Sequence, residues 1–264
     1  MLDLISVTKR FNIGTVNERV ALDHLDLHLD DGDFVTVIGG NGAGKSTMLN
    51  LIAGVFRPDG GHILLDGQDV TNLQEYQRAK MLGRVFQDPM MGTAANMQIE
   101  ENLAMAYRRT RNRSLRWGIN DSERERYREL LKSLNLGLED RMTSKVGLLS
   151  GGQRQAVTLL MATMQKPKVL LLDEHTAALD PKTAEKVLDL TQELVDRDHL
   201  TTVMITHNMK DAIRLGNRLV MMNEGRIIYE VAGEEKKNLK VSDLLEKFAQ
   251  ASDGRFANDR MLLS

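Results

Sequence analysis

Residues Gly39 to Ser46 have the composition of a phosphate-binding loop. The segment Gly39-Gly40-Asn41-Gly42-Ala43-Gly44-Lys45-Ser46 matches G-x-x-x-x-G-K-[ST] and stands between an apolar run, Phe34 to Ile38, and the helix-like Lys45 to Ala53. Glycines let successive N–H groups converge on a phosphate, the following helix directs its positive end at it, and Lys45 adds a full charge. Ser46 is the expected hydroxyl ligand of Mg²⁺. The alternative is an ordinary glycine turn, but the apolar run before the segment and the helix-like stretch after it favour a phosphate-binding loop.

Two carboxylates follow a second apolar run. Asp173 and Glu174 come directly after Val169 to Leu172, which places both at the end of a predicted buried strand. Ligand sites of open α/β sheets lie at that end. Asp173 would hold Mg²⁺ through water, and Glu174 would polarise a water for attack on a γ-phosphate as general base. A strand followed by an acidic helix cap is the alternative, and the phosphate loop favours the catalytic interpretation.

A third motif, Leu149-Ser150-Gly151-Gly152-Gln153, lies between the first two. Its order and spacing resemble the signature of ABC-type ATPases. Ser150 and Gln153 also fit a helix capping box, which is compatible with a functional role. A serine and two glycines at a helix N-terminus would make a second cradle for a γ-phosphate, so one chain carries two half-sites. We therefore expect a composite active site in which two chains enclose each ATP.

Three further positions occur in the order of the same family: Gln87 in Val85-Phe86-Gln87-Asp88-Pro89, Asp180 in Ala178-Leu179-Asp180-Pro181, and His207 in Ile205-Thr206-His207-Asn208. The resemblance implies that Gln87 reaches Mg²⁺ and the attacking water, that Asp180 communicates across the dimer and that His207 contacts the γ-phosphate. From the residues alone, Gln87 is a loop residue, and Asp180 is a helix N-cap before a proline at the first helical position.

Members of the resembled family also stack adenine on an aromatic residue from the N-terminal β region, and Phe11 is the matching residue. An aromatic side chain that follows an apolar strand also fits a core position. The catalytic residues that the resemblance implies are Glu174, His207 and Gln87. The implied Mg²⁺ ligands are Ser46, Gln87 and Asp173. The implied nucleotide contacts are Phe11, Gly39, Gly40, Asn41, Gly42, Ala43, Gly44, Lys45, Ser46, Thr47, Ser150, Gly151, Gly152 and Gln153.

The elements around these motifs predict an α/β fold with a mainly parallel sheet, the core of a P-loop NTPase. Apolar, β-branched runs recur with helix-like stretches between several of them. These runs are Phe34 to Ile38, Val169 to Leu172, Thr202 to Ile205 and Leu219 to Met222. Nearer the N-terminus, Leu25, Leu27 and Leu29 alternate with Asp26, His28 and Asp30. Such alternation predicts an antiparallel β subdomain with one solvated face.

The strand signal is absent between about Gln87 and Gln165, where charged helical sequence such as Ser122 to Leu134 takes over. We predict a single ABC-type ATPase domain over residues 1–264, with about 88–165 as an inserted helical subdomain. Residues from about 209 to 264 would form a C-terminal hairpin around Asn223-Glu224-Gly225 with flanking helices, Met209 to Leu215 and Val241 to Ala251.

Composition excludes several classes of protein. The 264 residues are 42% hydrophobic and 27% charged, with 35 basic and 37 acidic side chains and no cysteine. This composition argues against disorder, disulfides and thiolate metal sites, and the net charge of −2 argues against extensive nucleic-acid binding. No run approaches the roughly 18 apolar residues of a membrane span, and the start of the sequence lacks a basic region followed by an apolar run. We expect a soluble, cytosolic chain.

The combined motifs predict the ATP-binding and ATP-hydrolysing subunit of an ABC transporter, acting as a homodimer on separate transmembrane permease subunits. It would be peripheral, at the cytoplasmic face of the membrane. Asp173 to Asp180, with Asn96 to Asn102, is similar to ATPases of small-solute importers, amino acids among their cargoes, and a solute-binding protein would then be a further partner.

Two other classes compete with this hypothesis. A soluble ABC-type ATPase that acts on ribosomes or DNA is the alternative, but such proteins typically carry two domains or a coiled-coil insertion. A P-loop kinase or GTPase would leave Ser150 to Gln153 unexplained. We expect no nucleic-acid partner.

Two features remain outside these motifs. His175 follows Glu174 where the resembled family usually has proline, and we expect it to be a solvent-facing loop residue rather than a sensor. A basic run with a tryptophan could contact anionic lipid head groups or a permease, or form a solvated face. The run consists of Arg108, Arg109, Arg111, Arg113, Arg116 and Trp117.

Overall fold

The computed structural model describes residues 1–109 and 118–251. They fall into two compact units: the first is built from Met1–Ala79 and the chain after Asp198, and the second from Lys80–Asp198. Within the described ranges, no helix has both the length and the apolar content that crossing a bilayer requires.

An antiparallel sheet opens the first unit. Its strands, in chain order, are β1 Leu2–Phe11, β2 Arg19–Leu29, β4 Gly60–Leu65 and β5 Gln68–Asp69. They lie side by side in the order β2-β1-β4-β5. Leu25, Leu27 and Leu29 are buried while the polar residues between them are not, so the alternation in β2 gives one apolar and one solvated face, as predicted.

The phosphate loop belongs to the parallel part of the same unit. Strand β3, Phe34–Gly39, pairs in parallel with β8, Thr202–Ile205, on one side and with β9, Arg218–Asn223, on the other. β9 continues through a hairpin into β10, Arg226–Ala232. Five of the six β3 residues are buried, which explains why its sequence is a continuous apolar run rather than an alternating one.

Helices complete the first unit. They are α1 Lys45–Ala53, α2 Glu75–Arg78, α7 Met209–Arg214, α8 Gly233–Lys237 and α9 Val241–Ala251. Ile38 of β3 and Met221 of β9 share a buried cluster with Met209, Leu244 and Phe248 from α7 and α9. This cluster anchors the strand that leads into the phosphate loop.

The second unit is mainly helical. Strands β6, Leu82–Val85, and β7, Val169–Asp173, pair in parallel. The helices are α3 Ile99–Arg108, α4 Asp121–Lys132, α5 Gly151–Thr163 and α6 Pro181–Asp198, with a short 3₁₀ turn at Val146–Leu148. Apolar faces of α3, α4 and α5 meet in one buried cluster that includes Leu103, Leu131 and Leu160. Packing of amphipathic faces, more than helix propensity, therefore holds these helices.

The predicted fold class is confirmed, with parallel strands, a separate antiparallel sheet and helices between strands. Each of the four predicted apolar runs is a strand, and the helices predicted at Lys45 to Ala53 and Val241 to Ala251 have those bounds. The helices predicted at Ser122 to Leu134 and Met209 to Leu215 differ from α4 and α7 by one or two residues at their ends. The predicted subdomain boundaries near 88, 165 and 209 stay predictions.

Candidate active site

The phosphate loop curls around the ammonium group of its own lysine. Lys45 begins α1, is only 7% exposed, and its Nζ lies 2.6 Å from the Gly39 carbonyl oxygen and 3.1 Å from that of Gly40. The Ala43 amide donates to the Gly40 carbonyl across 3.1 Å, which closes the turn. The carbonyl oxygens of Gly39 and Gly40 thus hold the cation at the mouth of the loop.

Two groups outside the loop hold its outer side. Arg19 Nη2, at the start of β2, donates to the Gly42 carbonyl across 2.7 Å. The Gly225 amide, from the hairpin between β9 and β10, donates to the Ala43 carbonyl across 3.0 Å. The loop is therefore fixed by sequence-distant partners from both ends of the chain.

The N-terminus of α1 is suited to an anion. Its N-cap is Gly44 with φ 102°, no side chain caps it, and its first turn contains no acidic residue. A Cβ at Gly44 would lie 2.5 Å from the Ala21 carbonyl oxygen, so the tight, left-handed conformation requires glycine. Ser46 is exposed in this first turn and Thr47 is half-buried. Because the first turn of this helix contains no acidic residue, the loop fits a bound phosphate, and the Ser46 hydroxyl supplies an oxygen of the kind Mg²⁺ takes.

His207 comes to the same edge of the sheet as the phosphate loop. Ile205 of β8 is in register with Val37 of β3, and the Thr206 amide donates to the Val37 carbonyl across 3.2 Å. Since parallel strands end at one edge, His207 follows β8 where Gly39 ends β3. Its side chain is exposed.

Phe11 ends β1 and is half-buried. Its ring packs edge-on against Phe56, with centroids 5.3 Å apart, and Lys9 Nζ lies 5.6 Å from the ring centre. Arg19, the residue that holds Gly42, is its cross-strand partner on β2. Adenine stacking on Phe11 stays a prediction, and the ring is already an aromatic partner within the fold.

In the second unit, Gln87 and the two carboxylates share one sheet edge. Val85 of β6 is in register with Leu172 of β7, so Gln87 and Glu174 each follow a paired residue by two positions. Asp173 and Glu174 are half-buried and Gln87 is exposed. The parallel pair thus gathers oxygen and amide groups at its carboxyl end, as expected of a ligand site.

Glu174 has an unusual backbone conformation. Its φ of 45° lies in the left-handed region, which costs a non-glycine residue about 1–2 kcal/mol. The Ala177 amide donates to the Glu174 carbonyl across 3.0 Å and closes a turn directly after β7. Strain of this kind persists only where surrounding contacts impose it, and it concentrates at functional sites.

The predicted signature forms the N-terminus of α5. Ser150 Oγ accepts from the Gln153 amide across 3.3 Å, and the Gln153 side chain accepts from the Ser150 amide across 3.2 Å, so the predicted capping box is present. Ser150 and Gly151 are exposed, whereas Gly152 is buried. A Cβ at Gly152 would lie 2.1 Å from Thr183 Cγ2 on α6. The close approach of α6 is thus one physical reason for this glycine.

Asp180 caps α6 beside the signature. Its Oδ1 accepts from the Thr183 amide across 3.1 Å, and α6 begins at Pro181, as the N-cap interpretation predicts. The hydroxyl and amide of Thr183 hold the pKa of the exposed Asp180 carboxyl below its usual value. Because Thr183 also approaches Gly152, the starts of α5 and α6 are adjacent.

The prediction that His175 faces solvent is wrong. The side chain is 2% exposed, and its Nε2 lies 3.0 Å from the Thr191 hydroxyl on α6. Burial lowers its pKa to about 4. The turn after β7 folds back so that the side chain following Glu174 enters the interior, which periodicity over so short a segment does not indicate.

Two described arginines of the basic run have contacts within the fold. Arg108 donates to the Gly118 carbonyl across 2.7 Å and to Glu123 across 2.9 Å. Arg109 is half-buried, and burial lowers its pKa. Arg111, Arg113, Arg116 and Trp117 lie outside the described residues, so contact of the run with lipid or permease stays a prediction.

Sequence reasoning missed four residues that support the site. Arg19 and Gly225 donate hydrogen bonds to the phosphate loop, and Thr191 is hydrogen-bonded to His175. The fourth is Gln155, whose Nε2 donates across 3.3 Å to the carbonyl of Phe86, the residue before Gln87. Gln155 is fully buried on α5, so a polar residue inside an apolar helix face was a usable signal. Arg19 and Gly225 carry no comparable signal, because their contacts depend on the tertiary fold.

The structure and site define a P-loop ATPase with a second glycine-rich helix start. The ABC transporter family matches residues 22–177. Because this match spans more than half of the chain, the chain belongs to the ABC transporter family of ATP-binding proteins. It is accordingly an ATP-binding ATPase.

Individual relatives of the chain are likewise named as ATP-binding proteins of transport systems. The chain is 42% identical over 255 residues to a tyrosine transport ATP-binding protein of Clostridioides difficile, covering 95% of this chain and 100% of that protein. It is 38% identical over 208 residues to a sulfate/thiosulfate import ATP-binding protein of Synechococcus elongatus, covering 78% of this chain and 57% of the longer relative. A dimeric ATP-binding cassette solved in a post-hydrolysis state with ADP and phosphate is 31% identical, with a TM-score of 0.74 over 88% of this chain and 98% of that one.

Proposed function

We propose that this chain is the ATP-hydrolysing subunit of an ABC importer for a small solute. The observation that carries the proposal is the pair of glycine-rich helix starts, at Gly44 and Ser150, each without an acidic residue in the first turn. The relatives named for import support its direction. An ATPase that acts on ribosomes or DNA is not supported by them.

The chain's own groups divide the work on ATP. The backbone of Gly39 to Gly44 and the first turn of α1 would bind the β- and γ-phosphates, with Lys45 as the cation that neutralises them. Thr47 and Asn41 would complete this contact set, and Phe11 would stack on adenine. His207 would contact the γ-phosphate from the end of β8.

Hydrolysis needs a base and a metal. Glu174 would accept a proton from the attacking water as general base, and Gln87 would orient that water. Ser46, Gln87 and Asp173 carry the oxygen donors that would hold Mg²⁺. When bound, Mg²⁺ would offset charge on the phosphate oxygens.

A second copy of the chain would complete each site. Ser150 to Gln153 form a helix start with exposed groups but no lysine, so on its own this motif is a weaker anion site than the phosphate loop. We infer that it contacts the γ-phosphate held by a partner copy, with Asp180 beside it at the dimer interface. The dimeric state of the solved cassette supports this arrangement.

Transport would require separate permease subunits, with this chain peripheral at the cytoplasmic face of the membrane. We infer that residues from about 88 to 165 form the helical subdomain that docks them. The full-length relative that transports tyrosine makes amino acids the first cargo class to test. A solute-binding protein would be a further partner of an importer.

Capture from membranes tests this assignment. The Glu174→Gln chain, loaded with Mg·ATP, is used as bait in gently solubilised membranes of its own cell, and co-purifying proteins are identified by mass spectrometry. We expect a multi-span permease, and a solute-binding protein would support import. Lys45→Ala is the matched control, since it should capture less permease if the ATP-bound form is the one recognised. Recovery of ribosomal or DNA-associated proteins alone would refute the transporter assignment.

The catalytic assignment has its own test. Glu174→Gln should bind ATP with unchanged affinity and hydrolyse it about 10²–10⁴-fold more slowly, because the amide cannot accept the proton. Nucleotide titration and steady-state phosphate release measure the two quantities separately. Wild-type turnover of this variant would exclude Glu174 as the general base.

A further inference from the structure

The side chain of His175 belongs to a hydrogen-bonded chain that runs into α6. Thr191 Oγ1 donates to the Val187 carbonyl across 2.7 Å. A hydroxyl has one proton to donate, so in its 3.0 Å contact with His175 Nε2 the threonine oxygen is the acceptor. His175 must therefore carry a proton on Nε2. Both side chains are buried, at 2% and 0% exposure, so no water competes for this hydrogen bond.

This hydrogen bond lies one residue from the strained Glu174. On its N-terminal side Glu174 is held by β7, and the Ala177 amide holds its carbonyl. On its C-terminal side, any displacement of the residue 175 backbone from its place would carry the His175 ring with it. Moving the ring would leave a buried N–H without an acceptor, which is unfavourable. Residue 175 is thus the second anchor of the left-handed turn.

The anchor on α6 is itself rigid and connected to the signature. Thr191 lies on the buried face of α6, next to Val187, Leu188 and Leu194. The first turn of that helix packs against the signature, where Thr183 approaches Gly152. One helix therefore contacts both the turn of Glu174 and the start of α5.

We propose that His175 is a positioning residue, whose hydrogen bond to Thr191 couples the Glu174 turn to α6 and fixes the carboxylate for proton transfer. This inference rests on the proposed role of Glu174 as general base. It assigns His175 a task that a proline at the same position, without any side-chain donor, cannot perform. His175 itself does not contact the reacting atoms.

Thr191→Val is the most selective test. Valine has nearly the shape of threonine but removes the acceptor, so the fold should remain while the turn loosens. We expect kcat to fall about 10-fold, with KM for ATP within about two-fold of the wild type, because small displacements of a catalytic group cost that much. Thr191→Ser should restore kcat. Thr163→Val is the matched control, since Thr163 is also buried and also donates to a carbonyl one turn earlier, that of Leu159, on α5.

A double-mutant cycle distinguishes positioning from a general loss of packing. Hydrolysis by the slow Glu174→Gln variant is followed as a single turnover of labelled ATP over hours. In that background, Thr191→Val should cause no further decrease in the hydrolysis rate. An unchanged kcat in Thr191→Val, an equal loss in Thr163→Val, or the same fold-loss in both backgrounds would overturn the inference. Wild-type turnover of Glu174→Gln alone would instead refute the proposed general base.

A second variant covers the case in which Thr191→Val fails to fold, as judged by its circular dichroism and thermal melting. His175→Gln places an amide donor near the position of Nε2, and His175→Leu fills the space without a donor. The glutamine variant should retain most of the wild-type kcat and the leucine variant should lose about 10-fold. Equal kcat values for the two variants would contradict the inference.

Discussion

The two glycine-rich helix starts, at α1 and at α5, differ in what they supply to an anion. At α1 no side chain caps the helix, and Lys45 is held inside the loop by backbone carbonyls. At α5 the helix is capped by its own Ser150 and Gln153, and no lysine is present in the motif. We propose that the first start forms the phosphate site of a single chain. The second is a capped helix end, which would gain a function only when a partner copy brings an anion to it.

Among substitutions at or beside the two helix starts, Lys45→Ala should have the largest effect. The substitution removes the only full positive charge within the phosphate loop, so ATP affinity should fall about 100-fold, equivalent to about 3 kcal/mol. Isothermal titration of the single chain measures it. Lys237→Ala, which removes an exposed lysine paired with Glu234, should leave affinity unchanged. If Lys45→Ala bound ATP with wild-type affinity, the start of α1 would not be the phosphate site of the single chain.

The glycines of α5 should respond unequally to alanine. Alanine normally stabilises a helix relative to glycine by up to about 1 kcal/mol. At Gly152 the new Cβ would collide with Thr183, so Gly152→Ala should instead lower the free energy of unfolding by about 2 kcal/mol. At Gly151 the nearest atom is a flexible leucine methyl 3.1 Å away, so Gly151→Ala should be close to neutral. Urea unfolding of both variants provides the measurement, and equal stabilities would contradict the packing role.

Ser150→Ala separates capping from contact with an anion. Loss of the cap should lower the free energy of unfolding by about 1 kcal/mol. Affinity of the single chain for ATP should not change, whereas hydrolysis by the dimer should fall. Ser150→Asn keeps a good N-cap and should recover stability without recovering hydrolysis. If Ser150→Ala lost as much ATP affinity as Lys45→Ala, both helix starts would bind the nucleotide of a single chain, which contradicts the proposed difference between them.

Arg19→Gln should give the smallest effect. Arg19 is exposed, and one hydrogen bond to Gly42 is worth about 0.5–1 kcal/mol, so ATP affinity should fall about three-fold. Arg10→Gln, on the neighbouring strand, makes the same change of charge and is the control. Equal effects of the two variants on affinity would indicate general electrostatics rather than support of the loop.

Much of the fold was predictable because apolar runs and turn residues mark its elements. β3, β7, β8 and β9 are buried on both sides and read as continuous apolar segments. β6 was not predicted, since Gly83 and Arg84 interrupt its apolar run and only pairing with β7 makes it a strand. The local sequence pattern predicts a strand that is buried along its whole length, but it does not predict a strand whose formation depends on pairing with its neighbour.

Candidate site residues that belong to sequence motifs could be identified from the sequence. The environment of a residue such as His175, which is set by the tertiary fold, could not. Lys45, Glu174 and Ser150 were identified from spacing and from the resemblance to a family. The burial of His175 could not be predicted, because it depends on a left-handed residue before it and on Thr191, sixteen positions later. The sequence predicts the start of its partner's helix at Pro181, but it does not indicate which residue of that helix meets residue 175.

The pairing of β3 has a consequence for how the protein is made. Both strands that flank β3, β8 and β9, lie after residue 200, and the amide that holds Ala43 belongs to Gly225. A ribosome synthesises the chain from its N-terminus, so β3 and the phosphate loop emerge long before β8, β9 and Gly225 exist. The nascent chain should therefore acquire a nucleotide-binding loop only after the hairpin between β9 and β10 has left the exit tunnel. ATP binding would then report that synthesis has passed the hairpin between β9 and β10.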